Sequence, residues 1–152
     1  MSCNSNGNCN CQKSVVRYYN QTPQAFAANA TLPIVVNANQ VVSQGKAIVS
    51  TPNGYRIERT GLYGISADVV ILGTTAGNVS VQANLDGVAL PCTIRSATLV
   101  ADGYVSLHLE TDILFEQVCK CQNNTSHQIT FSIVSTGGAG SIAEVCTGII
   151  KR

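Results

Sequence analysis

Residues 78–87 read NVSVQANLDG, and this short stretch predicts the fold. Apolar side chains occupy every second position from Val79 to Leu85, with Asn, Ser and Gln between them, so one face of an extended strand is apolar and the other polar. The dipeptide Asp86-Gly87 that ends the run favours the two-residue type I′ turn of a β-hairpin. The stretch therefore predicts a half-buried strand followed by an antiparallel partner.

The neighbouring stretches continue this alternation. The partner strand is predicted at Leu90, Cys92 and Ile94. Before the hairpin, Tyr63–Ile71 has apolar residues at every second position and a small or polar residue at most positions between them. After it, strands are predicted from the alternation in residues 105–113, with His108 on the polar face, and in residues 129–133.

The last segment, residues 142–150, is apolar on both faces of an extended chain, which predicts a strand that is buried on both sides. Its two predicted faces are Ala143, Val145 and Ile149 on one side and Ile142, Cys146 and Ile150 on the other. Shorter pieces at residues 24–28, 32–37, 46–49 and 55–57 are expected to form the edge of the first sheet and its crossovers.

No stretch of ten or more residues has the apolar spacing of a helix. Eight to ten short strands without a helix predict an all-β fold, an antiparallel β-sandwich of the jelly-roll type. Only 11% of the 152 residues are charged and 45% are apolar, and the abundant Asn, Gln, Ser and Thr favour turns and strands over helices.

The charge pattern argues against two classes of partner. The net charge is +1 and no run of Lys or Arg occurs, so we expect binding neither to nucleic acid nor to anionic membranes. The apolar runs are far shorter than the ~20 residues that span a bilayer. The first residues also lack the basic and apolar regions of a secretory signal, which predicts synthesis in the cytoplasm and delivery to a particle surface by assembly.

The chain divides into two parts by composition. Residues 1–14 consist largely of Ser, Asn, Gly, Cys and Gln without apolar periodicity, and we interpret them as a flexible, extended N-terminal arm. From Val15 onward the alternating pattern runs to the C-terminus, so residues 15–152 are predicted to form the jelly-roll domain.

Cysteines supply the main chemical signal, and their odd number leaves at least one unpaired within a monomer. One interpretation is disulfides within or between subunits, formed in an oxidising environment by Cys3, Cys9, Cys11, Cys119, Cys121 and Cys146. A second is a zinc site made by the two C-x-C pairs Cys9, Cys11, Cys119 and Cys121, although structural zinc sites usually have wider ligand spacing. The third treats Cys92 and Cys146 as small buried apolar residues.

No arrangement of residues predicts catalysis. The sequence has no G-x-S-x-G, H-E-x-x-H or P-loop motif, so we expect neither an enzyme nor a cofactor. His108 is predicted on the solvent or subunit face of its strand, and His127 lies among ordinary polar residues. Asp68 is the one charged residue in its strand, and its face suggests solvent or a subunit interface.

One stretch resembles a known family. In residues 55–69, YRIERTGLYGISADV, the Gly61-Leu62-Tyr63 sequence resembles the G-x-Y that opens a central strand in C1q and tumour-necrosis-factor-like jelly rolls. Residues 23–29 and 79–90 resemble the C-terminal domains of collagen-like spore-surface glycoproteins and small phage structural proteins. The resemblance covers about residues 23–152. It implies a trimer around a threefold axis, with both termini at one end and Tyr63 inside the sandwich.

These expectations combine into one leading hypothesis for function. It is a non-enzymatic structural protein on the outside of a particle, such as a phage virion, where it forms homotrimers and attaches to a neighbouring capsid, tail or coat protein by its arm. Complement-type members of the family have a collagen repeat before the jelly roll, whereas this chain has a short arm. The arm suits docking on a neighbouring protein, so it favours a compact component of a particle over a receptor ligand on a stalk. The alternatives are a spore-surface or appendage protein and a fibre-tip module that binds a host-surface glycan, although aromatic residues that stack on sugars are few.

Overall fold

The structure is a computed structural model that describes residues 13–116 and 126–152, together with the backbone of residues 2–3 and 9–10. This part of the chain forms β-strands and one three-residue 3-10 turn, so it contains no helix able to cross a membrane. The strands are β1 (Ser2–Cys3), β2 (Cys9–Asn10), β3 (Val15–Asn20), β4 (Gln24–Phe26), β5 (Thr31–Pro33), β6 (Asn39–Gln44), β7 (Ile48–Thr51), β8 (Gly54–Ile57), β9 (Gly61–Thr75), β10 (Gly77–Leu85), β11 (Val88–Ala89), β12 (Arg95–Leu99), β13 (Tyr104–Phe115), β14 (His127–Thr136) and β15 (Ala139–Lys151).

Two antiparallel sheets pack face to face. The six-stranded sheet has the order β13-β9-β15-β3-β6, and β4 also pairs with β15. The seven-stranded sheet has the order β11-β10-β14-β8-β7, and β12 and β5 pair with β10 and β14. This arrangement confirms the predicted antiparallel β-sandwich of the jelly-roll type.

The core lies between the sheets and consists of the apolar faces that the alternation predicts. In β9 the side chains of Tyr63 and Ile71 are fully buried, and so are Ile129 and Ile133 in β14. In β10, Val79, Val81 and Ala83 are buried in the same core. The core prediction for these three strands is confirmed.

The predicted hairpin turn is also confirmed. Asp86 and Gly87 have φ angles of 51° and 84°, which is the backbone that a type I′ turn requires at both central positions. The Asp86 carboxylate accepts a hydrogen bond from the Gln128 backbone N–H at 2.8 Å, and its other oxygen lies 2.6 Å from His127 Nδ1. The turn is therefore fastened to the beginning of β14.

The prediction that Leu90, Cys92 and Ile94 continue the hairpin as one strand is wrong. The partner strand stops after Ala89, a 3-10 turn follows at Pro91–Thr93, and pairing with β10 resumes only at β12. Proline has no N–H to give to the ladder and fixes φ, so the strand breaks at this point. The buried Thr93 hydroxyl stabilises the break, because it accepts from the Ala83 N–H at 2.9 Å and donates to the Leu90 carbonyl at 2.7 Å.

The predicted faces of the last segment need a correction. A β-bulge between Ile142 and Glu144 shifts the alternation, so Ile142 joins Val145 and Ile149 in the core. The opposite face, which includes Cys146, is only half-buried. The segment is the central strand of its sheet, but only one of its two faces is fully covered.

Among the strands from Val15 onward, three were not predicted. In β3, whose sequence is VVRYYN, paired apolar and paired aromatic residues hide the alternation. The sequences of β6 and β12, NQVVSQ and RSATL, contain too few apolar residues to show it. Both are edge strands within the described part of the chain, where few side chains need an apolar environment.

A buried polar contact joins the two sheets. The hydroxyl of Tyr55 in β8 lies 2.5 Å from the hydroxyl of Thr147 in β15, which in turn donates to Asn37 Oδ1 at 3.3 Å. The Asn37 amide donates to two backbone carbonyls, those of Thr51 and Gly54. Each of these buried polar groups has a hydrogen-bond partner. The network therefore fixes the alignment of the two sheets without leaving a buried polar group unpaired.

Tyr55 gives a prediction at alkaline pH. Burial raises the pKa of Tyr55 from 10.0 to about 12, so folding favours the neutral phenol. Its contribution to stability is complete below about pH 10 and is lost as the pH rises through about 12. We expect Tyr55→Phe to cost about 1 kcal/mol near pH 8 and to weaken the loss of stability between about pH 10 and 12, as measured by denaturant unfolding. An unchanged alkaline decline would contradict this account of Tyr55.

Both ends of the described core lie at one end of the sandwich. The Lys151 N–H donates to the carbonyl of Ser14 at 2.8 Å, and Arg152 N–H donates to the Leu62 carbonyl at 2.8 Å. Ser14 is buried and accepts from the Ala47 N–H. We call this the arm-proximal end, because the residues predicted to form the arm continue from it.

Candidate functional site

The outward surface of the six-stranded sheet is the most distinctive surface of the described chain, and we call it the outer face. The seven-stranded sheet packs against the other side of this sheet, where the core lies. In strand register, the outer face contains three bands of side chains that run across β13, β9, β15 and β3. These bands differ in chemistry.

The middle band is charged and contains His108. His108 Nδ1 lies 2.7 Å from Asp68 Oδ1 on the adjacent β9, and Nε2 lies 3.6 Å from Glu110 Oε2 on its own strand. Glu144 and Cys146 of β15 lie on the far side of Asp68. The predictions that His108 and Asp68 are on a solvent-facing side are confirmed, since their side chains are 52% and 65% exposed.

Two ionisable groups of the middle band are perturbed. The hydrogen bond to Asp68 raises the pKa of His108 above its usual 6.5, and Glu110 adds to the effect. Burial raises the pKa of the Cys146 thiol above 9.0, and the neighbouring Glu144 contributes. Cys146 is therefore a neutral thiol at physiological pH and not a reactive thiolate.

The bands at either end of the outer face are apolar. At the arm-proximal end, Leu62 and Leu114 are directly paired across β9 and β13 and are 40% and 59% exposed. At the distal end, Tyr104 is paired with Leu72 and is 67% exposed. Exposed apolar side chains that adjoin on neighbouring strands, as Leu62 and Leu114 do, are candidates for contact with another protein.

Two depressions lie along the middle of the outer face. One, of about 610 Å³, is bordered by Arg17, Glu110 and Arg152, and Gly64 and Gly148 also line it. The second, of about 400 Å³, is bordered by residues that include Tyr19, Asp68 and Cys146. Small residues on adjacent strands form the first depression, because they leave the larger side chains around them standing above the sheet.

Arg152 is held across this first depression. Its Nε lies 3.0 Å from Asp112 Oδ1, and its guanidinium occupies the space above Gly64 where a Cβ would otherwise lie. The C-terminal residue of the chain therefore forms part of the outer face.

The structure tests the predicted cysteine chemistry only in part. Cys146 lies on the outer face as a thiol, and Cys92 is an exposed thiol in the 3-10 turn, 3.6 Å from the Thr111 hydroxyl. The interpretation of Cys92 as a buried apolar residue is therefore wrong, because the turn at Pro91 carries it out of the sheet. Cys3 and Cys9 occupy opposite backbone positions of β1 and β2.

The other candidate cysteines, Cys11, Cys119 and Cys121, lie outside the described residues. The disulfide interpretation of these residues and of Cys3, Cys9 and Cys146 therefore stays a prediction, and so does the zinc site made by the two C-x-C pairs. Among the side chains in residues 13–116 and 126–152, no group of three or more His, Cys, Asp or Glu is arranged to hold a metal ion.

Several members of the outer face were not singled out from the sequence. Leu62 and Leu114 are apolar residues on the polar side of otherwise alternating strands, and that departure from the pattern was a usable signal. No sequence pattern connects Arg17, Arg152 and Glu144 with His108, because only the strand order β13-β9-β15-β3 brings them onto one surface.

The strand order and the sandwich define the class of fold, which is the tumour-necrosis-factor-like jelly roll. Three solved structures are similar to the chain over most of their length. Eiger TNF from S. frugiperda aligns with a TM-score of 0.68 and 9% identity, covering 93% of each chain. Murine APRIL aligns with a TM-score of 0.64 and 15% identity, covering 92% of this chain and 99% of that one. The PRD1 vertex protein P5 aligns with a TM-score of 0.61 and 19% identity, covering 92% and 96%.

These likenesses confirm the fold expected from the G-x-Y resemblance. In agreement with that resemblance, Tyr63 is fully buried in β9, the second strand of the six-stranded sheet. No protein-family model and no curated protein matches the sequence. The identities are too low for the likenesses to carry more than the fold.

Proposed function

We propose that this protein is a non-enzymatic structural component on the outside of a particle, such as a virion or a spore. In this proposal it forms a homotrimer in which the outer face of each copy contacts the next copy, and the N-terminal arm attaches the trimer to a neighbouring coat or capsid protein. The observation that carries the proposal is the outer face itself, which has apolar bands at both ends and depressions in between.

The resemblance to jelly rolls that form trimers around a threefold axis makes another copy of this chain the proposed occupant of the outer face. Four of the eight acidic residues lie on it, Asp68, Glu110, Asp112 and Glu144, against two guanidinium groups, Arg17 and Arg152. The outer face therefore has two more carboxylates than guanidinium groups. In a ring around a threefold axis the outer faces of all copies turn toward the axis, and each copy contacts the next head to tail.

The fold comparison supports the location of the protein. The PRD1 protein with the same fold is a vertex protein, a name that refers to a position on a polyhedral shell. The chain has few charged residues and many Asn, Gln, Ser and Thr residues, a composition that fits a component of a permanent assembly. A structural role at a particle surface is the simplest function that these features share.

A charge placed on the outer face tests the contact. We expect Leu114→Lys to weaken association between copies at least about tenfold. Assembly would bury the ammonium group beside Leu62, while Asp112 on the same face is already paired with Arg152. The matched control is Val88→Lys, which introduces the same charge at a residue that is 69% exposed on the opposite sheet. Size-exclusion chromatography with light scattering over a dilution series measures both variants beside the wild type.

The control variant should associate like the wild type. If Leu114→Lys also associates like the wild type, the outer face is not the contact between copies. Immunogold labelling of intact particles from the source organism tests the location separately. Gold on the particle exterior is expected, and intact particles without gold would contradict the proposed location.

A further inference from the structure

His108 is a titratable group in the middle band of the outer face, and the carboxylates around it determine how association between copies responds to pH. His108 lies between two carboxylates, with one ring nitrogen 2.7 Å from Asp68 and the other 3.6 Å from Glu110. A neutral imidazole has a single N–H, so it can donate to only one of the two. Only the imidazolium form offers a donor to both carboxylates.

The other groups near His108 do not replace this charge. Across β9, the neighbouring strand β15 contributes Glu144, which is acidic, and Cys146, which is a neutral thiol. Of the permanent cations on the outer face, Arg152 is paired with Asp112, and Arg17 lies on β3, three strands away from the strand of His108. The 3-10 turn and β12 also pack against β13, but on the side opposite to His108, where Cys92 lies beside Thr111. The Arg95 guanidinium of β12 donates to the Cys92 carbonyl.

The consequence appears when a second copy covers the outer face. In the free protein, water solvates Asp68 and Glu110 whatever the charge of His108, since both are largely exposed. In the assembly that water is removed, and a buried carboxylate without a partner is far more costly than one paired with a cation. Covering the face is therefore more favourable when His108 carries its proton.

We infer that the contact between copies is tightest when His108 is protonated, and that the assembly loosens as the pH rises through the neutral range. This inference rests on the proposed function, because it requires the outer face to be the contact. The raised pKa of His108 in the free protein agrees with the direction, since folding already favours the proton. By linkage, each proton released per contact changes the dissociation constant by up to about tenfold per pH unit.

The test is sedimentation velocity of the full chain over a dilution series at about pH 5.5 and about pH 8.5, a range centred on the usual titration of histidine. We expect the wild type to dissociate at least about tenfold more readily at the higher pH. His108→Lys retains a permanent cation and should associate tightly at both values. His108→Gln has no charge to gain and should associate weakly at both.

The second histidine provides a matched control. His127 also contacts a carboxylate, that of Asp86 at 2.6 Å, but it belongs to the seven-stranded sheet. His127→Gln should therefore keep the pH dependence of the wild type. If His108→Gln keeps it as well, or if the wild type associates equally at both pH values, the inference is overturned while the proposed contact stands. A wild type that is a single copy at both pH values overturns both.

Discussion

Replacing Tyr63 by alanine is expected to reduce the free energy of unfolding by about 3–5 kcal/mol, a large part of the roughly 5–15 kcal/mol typical of a domain. Tyr63 is fully buried in β9. Its ring packs edge to face with Phe115 of β13 at a centroid distance of 5.5 Å, and its hydroxyl donates to the Arg59 carbonyl at 2.7 Å. The substitution therefore leaves a cavity between the sheets and an unpaired carbonyl near the arm-proximal end.

Denaturant unfolding at constant protein concentration measures this effect. Tyr63→Phe keeps the ring and loses only the hydroxyl, so it should cost about 1 kcal/mol. Val88→Ala, at an exposed position, should change stability by less than about 0.5 kcal/mol. A Tyr63→Ala variant that unfolds at the same denaturant concentration as Val88→Ala would show that Tyr63 does not help to hold the sandwich together.

The second large effect is expected for Gly54→Ala, at about 3 kcal/mol, the upper end of what overpacking usually costs. Gly54 of β8 pairs with Thr130 of β14, and a Cβ at this position would lie 1.8 Å from the Ile129 carbonyl oxygen. The obstacle is backbone in the middle of a sheet, so it cannot move aside as a side chain would. The two strands must separate to admit a single methyl group.

The chain contains a matched glycine. A Cβ on Gly148 of β15 would lie 3.4 Å from Arg17 Cγ and Ser66 Oγ, which is close to ordinary contact with side chains. Gly148→Ala should therefore change stability by less than about 1 kcal/mol, within the range of tolerated substitutions. Equal destabilisation by the two substitutions, measured by thermal unfolding, would mean that backbone approach at β8 and β14 is not what requires glycine.

Much of the sandwich could be predicted because its strands alternate in a simple way. Apolar residues at every second position in β9, β10 and β14 place those side chains in the core, and Asp86-Gly87 specifies the tight turn. Prediction was wrong where one residue interrupts the period. Pro91 breaks a ladder, and the bulge after Ile142 places that residue on the core face of β15. Neither effect can be read from the spacing of apolar residues alone.

The outer face was less predictable because it depends on strand order. His108 and Asp68 were each predicted to face outward, but their contact joins residues 40 positions apart in the sequence. Alternation states which side of a strand a residue occupies and not which strand lies beside it. The pairing of β13 with β9, and of β9 with β15, is a property of the whole sandwich and follows from no local pattern.

The account depends most on association of identical copies through the outer face, and the molar mass of the wild-type protein tests it most directly. Sedimentation equilibrium at micromolar concentration and mildly acidic pH should give about three times the 15.9 kDa of the single chain. A mass of 15.9 kDa at every concentration would contradict the account.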